Sequence, residues 1–263
     1  MHSFDFTGET KINFHGVTVH RIRATRDIPR AGVKKGDEGG WIESAELKNG
    51  DARVSGDAWV YGNAQVYGDA WVSGNARVSG DARVSGDAWV YGNAQVYGDA
   101  RVSGNARVYG NARVSGNAWV YGNAQVYGDA WVSGNAQVYG DARVSGDAWV
   151  SGDARVYGNA RVSGNARVYG NAWVYGDAQV EEPWHLLMIG PIGSEGVTAT
   201  LARTKNGKHI LNVGCWDGTL GTLMAEVKRR RAYWHSDEAT QEFWVAQYRA
   251  LKALGRVTVK RWE

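Results

Sequence analysis

Cysteine is almost absent: one, Cys215, in 263 residues. That excludes an intrachain disulfide and fits a reducing, cytosolic compartment. No histidine lies between His20 and His185, so the long middle of the chain has no imidazole to move a proton. No apolar run approaches the ~18 residues of a membrane span, and no charged-then-apolar leader opens the chain. A soluble, unexported protein with no membrane partner is expected. Charge of one sign is also scarce. The net value is +3, divided as +1 over 1–50, −3 over 51–182 and +5 over 183–263. That is too mild to argue nucleic-acid binding from charge.

What is present is glycine, 36 of them, in a strict rhythm. From Asp51 to Val180 one phrase, Asp/Asn-Ala-x-Val-Ser/Tyr-Gly, recurs without insertion, giving 22 units. A fixed period of six is the signature of a parallel β-helix, whose units cannot bury an apolar face alone. In the extended run Ala-x-Val, Ala and Val point inward while x and the following Ser/Tyr point to solvent. Gly and Asp/Asn then make the corner, being the residue types that accept tight turns and positive φ. Three such faces make an eighteen-residue triangular coil, so 22 units give seven coils and one extra face. At about 4.8 Å per coil the prism is roughly 35 Å long. Its interior is a set of columns of Val beside small Ala.

The variable positions carry what information the coil has. Position x is only Arg, Trp or Gln, and every third unit shares a face. The first face carries Arg53, Trp71, Trp89, Arg107, Gln125, Arg143, Arg161 and Gln179, beside Tyr91, Tyr109 and Tyr127. The second carries Trp59, Arg77, Gln95, Arg113, Trp131, Trp149 and Arg167. The third carries Gln65, Arg83, Arg101, Trp119, Gln137, Arg155 and Trp173, beside an unbroken run of Tyr121, Tyr139, Tyr157 and Tyr175. Seven outward tryptophans suit subunit contact, or stacking on sugars, bases and nucleotides. The plainer alternative is that Trp, Tyr and Arg support one another along the coil. The candidate binding residues are Trp71, Trp89, Tyr91, Tyr109, Arg107, Arg83, Arg101 and the Tyr121 to Tyr175 stripe, which is also the candidate seam of a homo-oligomer.

Flanking segments are expected to cap the coil, because an open end exposes unpaired backbone. Over 1–50, Lys11 to Phe14 and Val17 to Ile22 read as a hairpin about His15-Gly16. Gly36 to Gly40 turns into Trp41-Ile42, and the coil starts at a degenerate unit, Ala45 to Gly50. At Pro183 the ladder must stop. The tail, 183–263, reads as a small α+β domain. It has a strand over Trp184 to Ile189, a turn over Gly190 to Ser194, and a hairpin of Val197 to Arg203 with Lys208 to Val213 about Asn206-Gly207. A helix capped by Thr219 follows, with Lys228 to Arg231 at its C-terminal end. A second helix from Ser236 buries Phe243, Ala246, Ala250 and Leu254 and ends at Gly255; Val257 to Trp262 adds a strand. Cys215 reads as a buried structural thiol rather than a nucleophile served by His209 or His185.

The hexads resemble those of left-handed hexapeptide-repeat acyltransferases and related carbonic anhydrases. That resemblance implies left-handed coils and often a trimer, while the missing histidines leave neither a catalytic base nor a three-His zinc site in the coil. A second resemblance covers nearly the whole chain. Arg21 to Asp27, Lys35 to Glu43, the Asn/Asp-Ala-Trp-Val-Tyr-Gly units, Ile189 to Ser194 and Gly214 to Thr219 are similar to YdcK-type hexapeptide-repeat proteins of bacteria and prophages. It implies a bacterial or phage cytoplasmic protein and a transferase label resting on fold analogy, with no catalytic residue to carry over. The expectation is an all-β-dominated chain without cofactor or metal. It would act as a non-catalytic binding or assembly module, dimeric or trimeric, toward a protein or a nucleotide or glycan ligand. An acyltransferase and a phage inhibitor of a host factor are the alternatives.

Overall fold

The computed structural model describes residues 4–12, 16–29, 33–47 and 51–262. Strands β1 (Phe4–Ile12) and β2 (Thr18–Ala24) pair antiparallel, and β2 pairs antiparallel with β3 (Glu38–Ile42). The expected N-terminal hairpin is therefore present, with a longer first strand; its tip at 13–15 lies outside the described residues. The solenoid begins earlier than the degenerate unit suggested. Trp41 and Ile42 of β3 pair in parallel with Trp59 and Val60, one coil ahead, and Ala45–Leu47 is a 3-10 turn. Gly40 belongs to that strand because a Cβ there would meet Val54 Cγ1 at 2.7 Å and the Ala58 carbonyl oxygen at 2.8 Å.

Twenty-two two-residue strands follow, from β4 (Arg53–Val54) to β25 (Gln179–Val180). All but the last three pair in parallel with the strand eighteen residues on, as in Trp71↔Trp89 and Val72↔Val90. The faces become three sheets: eight strands from β4 to β25, seven from β6 (Gln65–Val66) to β24 (Trp173–Val174), and ten in which β1, β2 and β3 extend the second face. The backbone ladder is regular, with Arg101 N donating to Ala118 O at 2.9 Å and Ser103 N to Val120 O at 2.9 Å. Inside, Ala and Val of every coil are buried, and Ile42, Leu186 and Ala202 close the ends of the same core. Each valine contributes ~1.5 to 3 kcal/mol gross, mostly offset by backbone ordering. Corner glycines from Gly56 to Gly176 sit at φ between 57° and 73°. They also stack so closely that a Cβ on Gly98 would lie 3.1 Å from Gly116 N.

The C-terminal end is closed by a meander of β26 (Leu186–Ile192), β27 (Val197–Arg203), β28 (His209–Val213) and β29 (Trp216–Gly218). Backbone donors and acceptors of the last coil are taken up by it. Trp173 N donates to Thr200 Oγ1 at 3.2 Å, and Lys205 N donates to Asp177 O at 3.1 Å. The outer face of the meander carries α1 (Leu223–Arg231) and α2 (Glu238–Lys260) over a second core of Leu201, Leu211, Leu223, Val245, Tyr248 and Leu251.

Several tail expectations are corrected. The first strand starts at Leu186, after a 3-10 turn at Pro183–His185, and runs through the supposed turn to Ile192. Helix α1 starts after Thr222, not Thr219. Helix α2 begins at Glu238, two residues past the expected Ser236, with Asp237 as its cap accepting from Thr240 N, and it runs through Gly255 to Lys260, over most of the expected last strand. Gly255 is a close-packing site rather than a stop: a Cβ there would lie 2.6 Å from Leu220 Cδ2. The buried face is Val245, Tyr248, Leu251 and Gly255, while Phe243, Ala246, Ala250 and Leu254 face solvent.

Candidate functional site

On the first face the structure brings Trp71, Trp89, Arg107, Tyr91 and Tyr109 together. Coils are stacked in register, so side chains at x meet their counterparts eighteen residues away. The Arg53 guanidinium lies 4.8 Å from the Trp71 ring, Trp71 and Trp89 meet edge to face at 5.0 Å, and Arg107 lies 5.2 Å from Trp89. Beside them Tyr91, Tyr109 and Tyr127 are parallel plates with centroids 4.9 Å apart. The spacing is the inter-strand distance, so the sheet itself sets the stack. The Trp71 indole N–H donates to Ser55 Oγ of the preceding coil at 2.8 Å. At its N-terminal end this ladder opens into a cleft of about 460 Å³ between cap and first coil, lined by Phe4, Ile22, Ile28, Asp37, Arg53 and Trp71.

The other candidates form a separate patch on the third face. Arg83 and Arg101 are register neighbours below Trp119, both exposed, and Trp119 lies 4.7 Å from Tyr121. Tyr121, Tyr139 and Tyr157 stack at 4.8 and 4.9 Å. Tyr175 continues the stack but is not a platform: it is 9% exposed beneath the tail, its hydroxyl donating to Asp217. Burial raises the pKa of Tyr109, Tyr121, Tyr139 and Tyr157, so the phenols stay protonated near neutrality.

Sequence reasoning did not single out a second copy of the first-face arrangement. On the second face Arg113, Trp131, Trp149 and Arg167 repeat it, with Arg113 at 6.0 Å, an edge-to-face Trp pair at 5.1 Å and Arg167 at 4.2 Å. Among the described residues, no carboxylate lies within ion-pair distance of Arg53, Arg107, Arg113 or Arg167. The signal was an Arg-Trp-Trp-Arg order at eighteen-residue steps. A related one is the spacing of Trp89, Trp119 and Trp149, the three most exposed solenoid tryptophans at 38%, 38% and 43%. They are thirty residues apart, one coil and two faces, so each stands on a different face.

Conventional catalytic groupings look different. Cys215 is exposed, not buried, and Arg230 Nη2 lies 3.2 Å from its sulfur. His209 Nε2 accepts from Leu220 N and His185 Nδ1 from Glu181 N, which commits both rings to backbone amides. Of the Lys228 to Arg231 cluster, Arg229 and Arg230 hold Glu226 within α1, whose pKa falls to about 2, while Arg231 joins α1 to Glu238 and Glu242 of α2. Among the described residues no group of three or more His, Cys, Asp or Glu is placed to hold a metal ion, and no helix is long and apolar enough to cross a membrane.

Seven segments, 76–92, 94–107, 106–122, 124–137, 136–152, 154–168 and 166–182, match the family described as YdcK Beta solenoid repeat. The matches start at 76, 106, 136 and 166, and at 94, 124 and 154, the same thirty-residue step that separates the exposed indoles. Among curated proteins none matches the chain. In-register coils eighteen residues apart, with repeat matches across 76–182, make the central part of this chain a β-solenoid of YdcK-type repeats.

Proposed function

We propose that the protein is a non-catalytic, rigid binding module of bacterial or phage origin, working in the cytoplasm, whose ligand docks on the arginine-flanked tryptophan pairs. The observation that carries this is the recurrence of one arrangement, Arg53-Trp71-Trp89-Arg107 and Arg113-Trp131-Trp149-Arg167, on two faces. A guanidinium over an indole keeps N–H donors available, and Trp89 and Trp149, the exposed indole of each pair, add aromatic surface next to them. Such a pair suits a ligand that combines a flat ring with an anionic group, the chemistry of a nucleotide or an acidic glycan. Because the exposed indoles wind around the prism, the module presents separated sites rather than one continuous patch.

The test is titration of the full chain with nucleotides, acidic glycans and neutral glycans, followed by tryptophan fluorescence and calorimetry. Binding of an anionic ligand that weakens with salt and falls about 5- to 150-fold in Trp89→Ala is expected, from the ~1 to 3 kcal/mol typical of one stacking platform. Salt-insensitive binding, or affinity unchanged in a Trp89→Ala, Trp149→Ala double variant, sinks the reading. So does acetyl-CoA-dependent turnover abolished by a substitution within 51–182.

A further inference from the structure

Helix α2 is apolar on two sides. One side, Val245, Tyr248 and Leu251, is buried in the tail. The other carries Phe243, Ala246, Ala250, Leu254 and Val257, at steps of three, four, four and three residues, which line up along a helix. All five are exposed, Phe243 at 61%, Leu254 at 47% and Val257 at 67%. A surface helix of a lone protein needs one apolar stripe, so the second implies a partner.

The stripe is symmetric about Ala250. Ala246 and Leu254 stand four residues to either side, and Phe243 and Val257 seven. If the helix meets an antiparallel copy of itself at Ala250, Leu254 of one copy falls opposite Ala246 of the other and Phe243 opposite Val257. Large side chains then face small ones, and the alanines at the centre let the two helices approach closely. The charge along α2 has the same symmetry. Its N-terminal end is acidic, with Asp237, Glu238 and Glu242, and its C-terminal half is basic, with Arg249, Lys252, Arg256 and Lys260. Glu242, already held by Arg231 at 2.6 Å and more loosely by Arg249 at 4.0 Å in its own chain, shares the solvent-side row with Arg256 and Lys260, and in an antiparallel pair it also lies between those two cations of the second copy. In a parallel pair the same rows would lie on opposite flanks of the interface and this pairing would be lost.

We infer that the outer stripe of α2 is a homodimer interface, formed with a second copy of this chain by antiparallel, two-fold packing centred on Ala250. This replaces the Tyr121 to Tyr175 stack as the subunit seam and does not rest on the ligand proposed for the solenoid. Sedimentation of the full chain is expected to show a dimer. Phe243→Glu with Leu254→Glu is expected to raise its dissociation constant at least about 100-fold, as loss of central apolar anchors does, with far-ultraviolet circular dichroism unchanged. In a Cys215→Ser background, Ala250→Cys should form an intermolecular disulfide under mild oxidation. Ala246→Cys and Leu254→Cys should cross-link efficiently when mixed and poorly alone. A chain monomeric at all accessible concentrations, a dimer unmoved by the double glutamate variant, or Ala246→Cys cross-linking as well alone as when mixed would each overturn the assignment.

Discussion

The Asn111 side-chain amide donates to Asp129 Oδ1 at 2.9 Å, closing a corner column in which Asn75 donates to Asn93 at 3.2 Å and Asn93 to Asn111 at 3.0 Å. Three other runs in the two remaining columns end the same way, Asn63 on Asp81 and Asn135 on Asp153 in one, Asn123 on Asp141 in the other. An amide can both give and take, whereas an ionised carboxylate only accepts, so each ladder runs toward an aspartate. The choice of Asp or Asn at the corners is thus patterned rather than free.

Replacing Asn111 by Asp sets a second carboxylate against Asp129 and removes its donor. A loss of about 1 kcal/mol is expected at neutral pH, partly regained as both carboxylates protonate. Asp129→Asn keeps an acceptor and should stay close to wild type. Thermal denaturation of the two variants at pH 7 and pH 4 checks both; equal melting temperatures at pH 7 would contradict the ladder polarity.

The corner glycines are held twice over. In Gly98→Ala the new residue must adopt φ near 70°, and its Cβ meets the backbone of Gly116 at 3.1 Å. The left-handed conformation alone costs about 1 to 2 kcal/mol. The coil should therefore lose several degrees of melting temperature, while Gly207→Ala, equally strained but with open space around it, should lose less.

Gly255 sets two effects against each other. Alanine is better than glycine in a helix by about 1 kcal/mol, yet a Cβ here lies 2.6 Å from Leu220 and 3.2 Å from Leu201. Overpacking typically costs about 1 to 3 kcal/mol. Gly255→Val, which adds branching to the clash, is expected to destabilise the tail in denaturant titrations. An increase in stability would mean that α2 can move off the sheet freely.

The tail should weaken in mild acid. Burial lowers the pKa of His209, whose Nε2 must stay unprotonated to accept from Leu220 N. The unfolded chain then takes up a proton more readily than the folded one. This contribution is intact above about pH 6.5 and is lost as pH falls below it. His209→Gln should flatten that part of the stability profile between pH 7 and pH 5; an unchanged slope would assign it elsewhere, such as to His185, which burial also lowers. Glu226 acts lower down. With its pKa held at about 2 by Arg229 and Arg230, its contribution persists above about pH 4.5 and disappears between there and pH 2.

The solenoid was legible because its signal is periodic. Six residues per face and eighteen per coil dictate that Trp71 meets Trp89 and that Arg107 follows, and the stacking of Tyr91 on Tyr109 is a consequence of strand spacing. Only the start was misplaced, since Trp41-Ile42 lies outside the repeating phrase and joins the ladder through pairing alone. The tail was harder. Helix α2 has two apolar stripes, and nothing local says which one meets the sheet. Tyr175 repeats the pattern of Tyr157, yet the tail covers it.

By itself the sequence determined the coil, its register, its interior and the columns that its faces display, because every unit obeys the same short-range rules of alternation and turning. Tertiary structure alone decided what the two caps cover, which side of α2 is buried and that Cys215 stands in solvent. Those outcomes depend on contacts between segments far apart in the chain, where no period carries the information across.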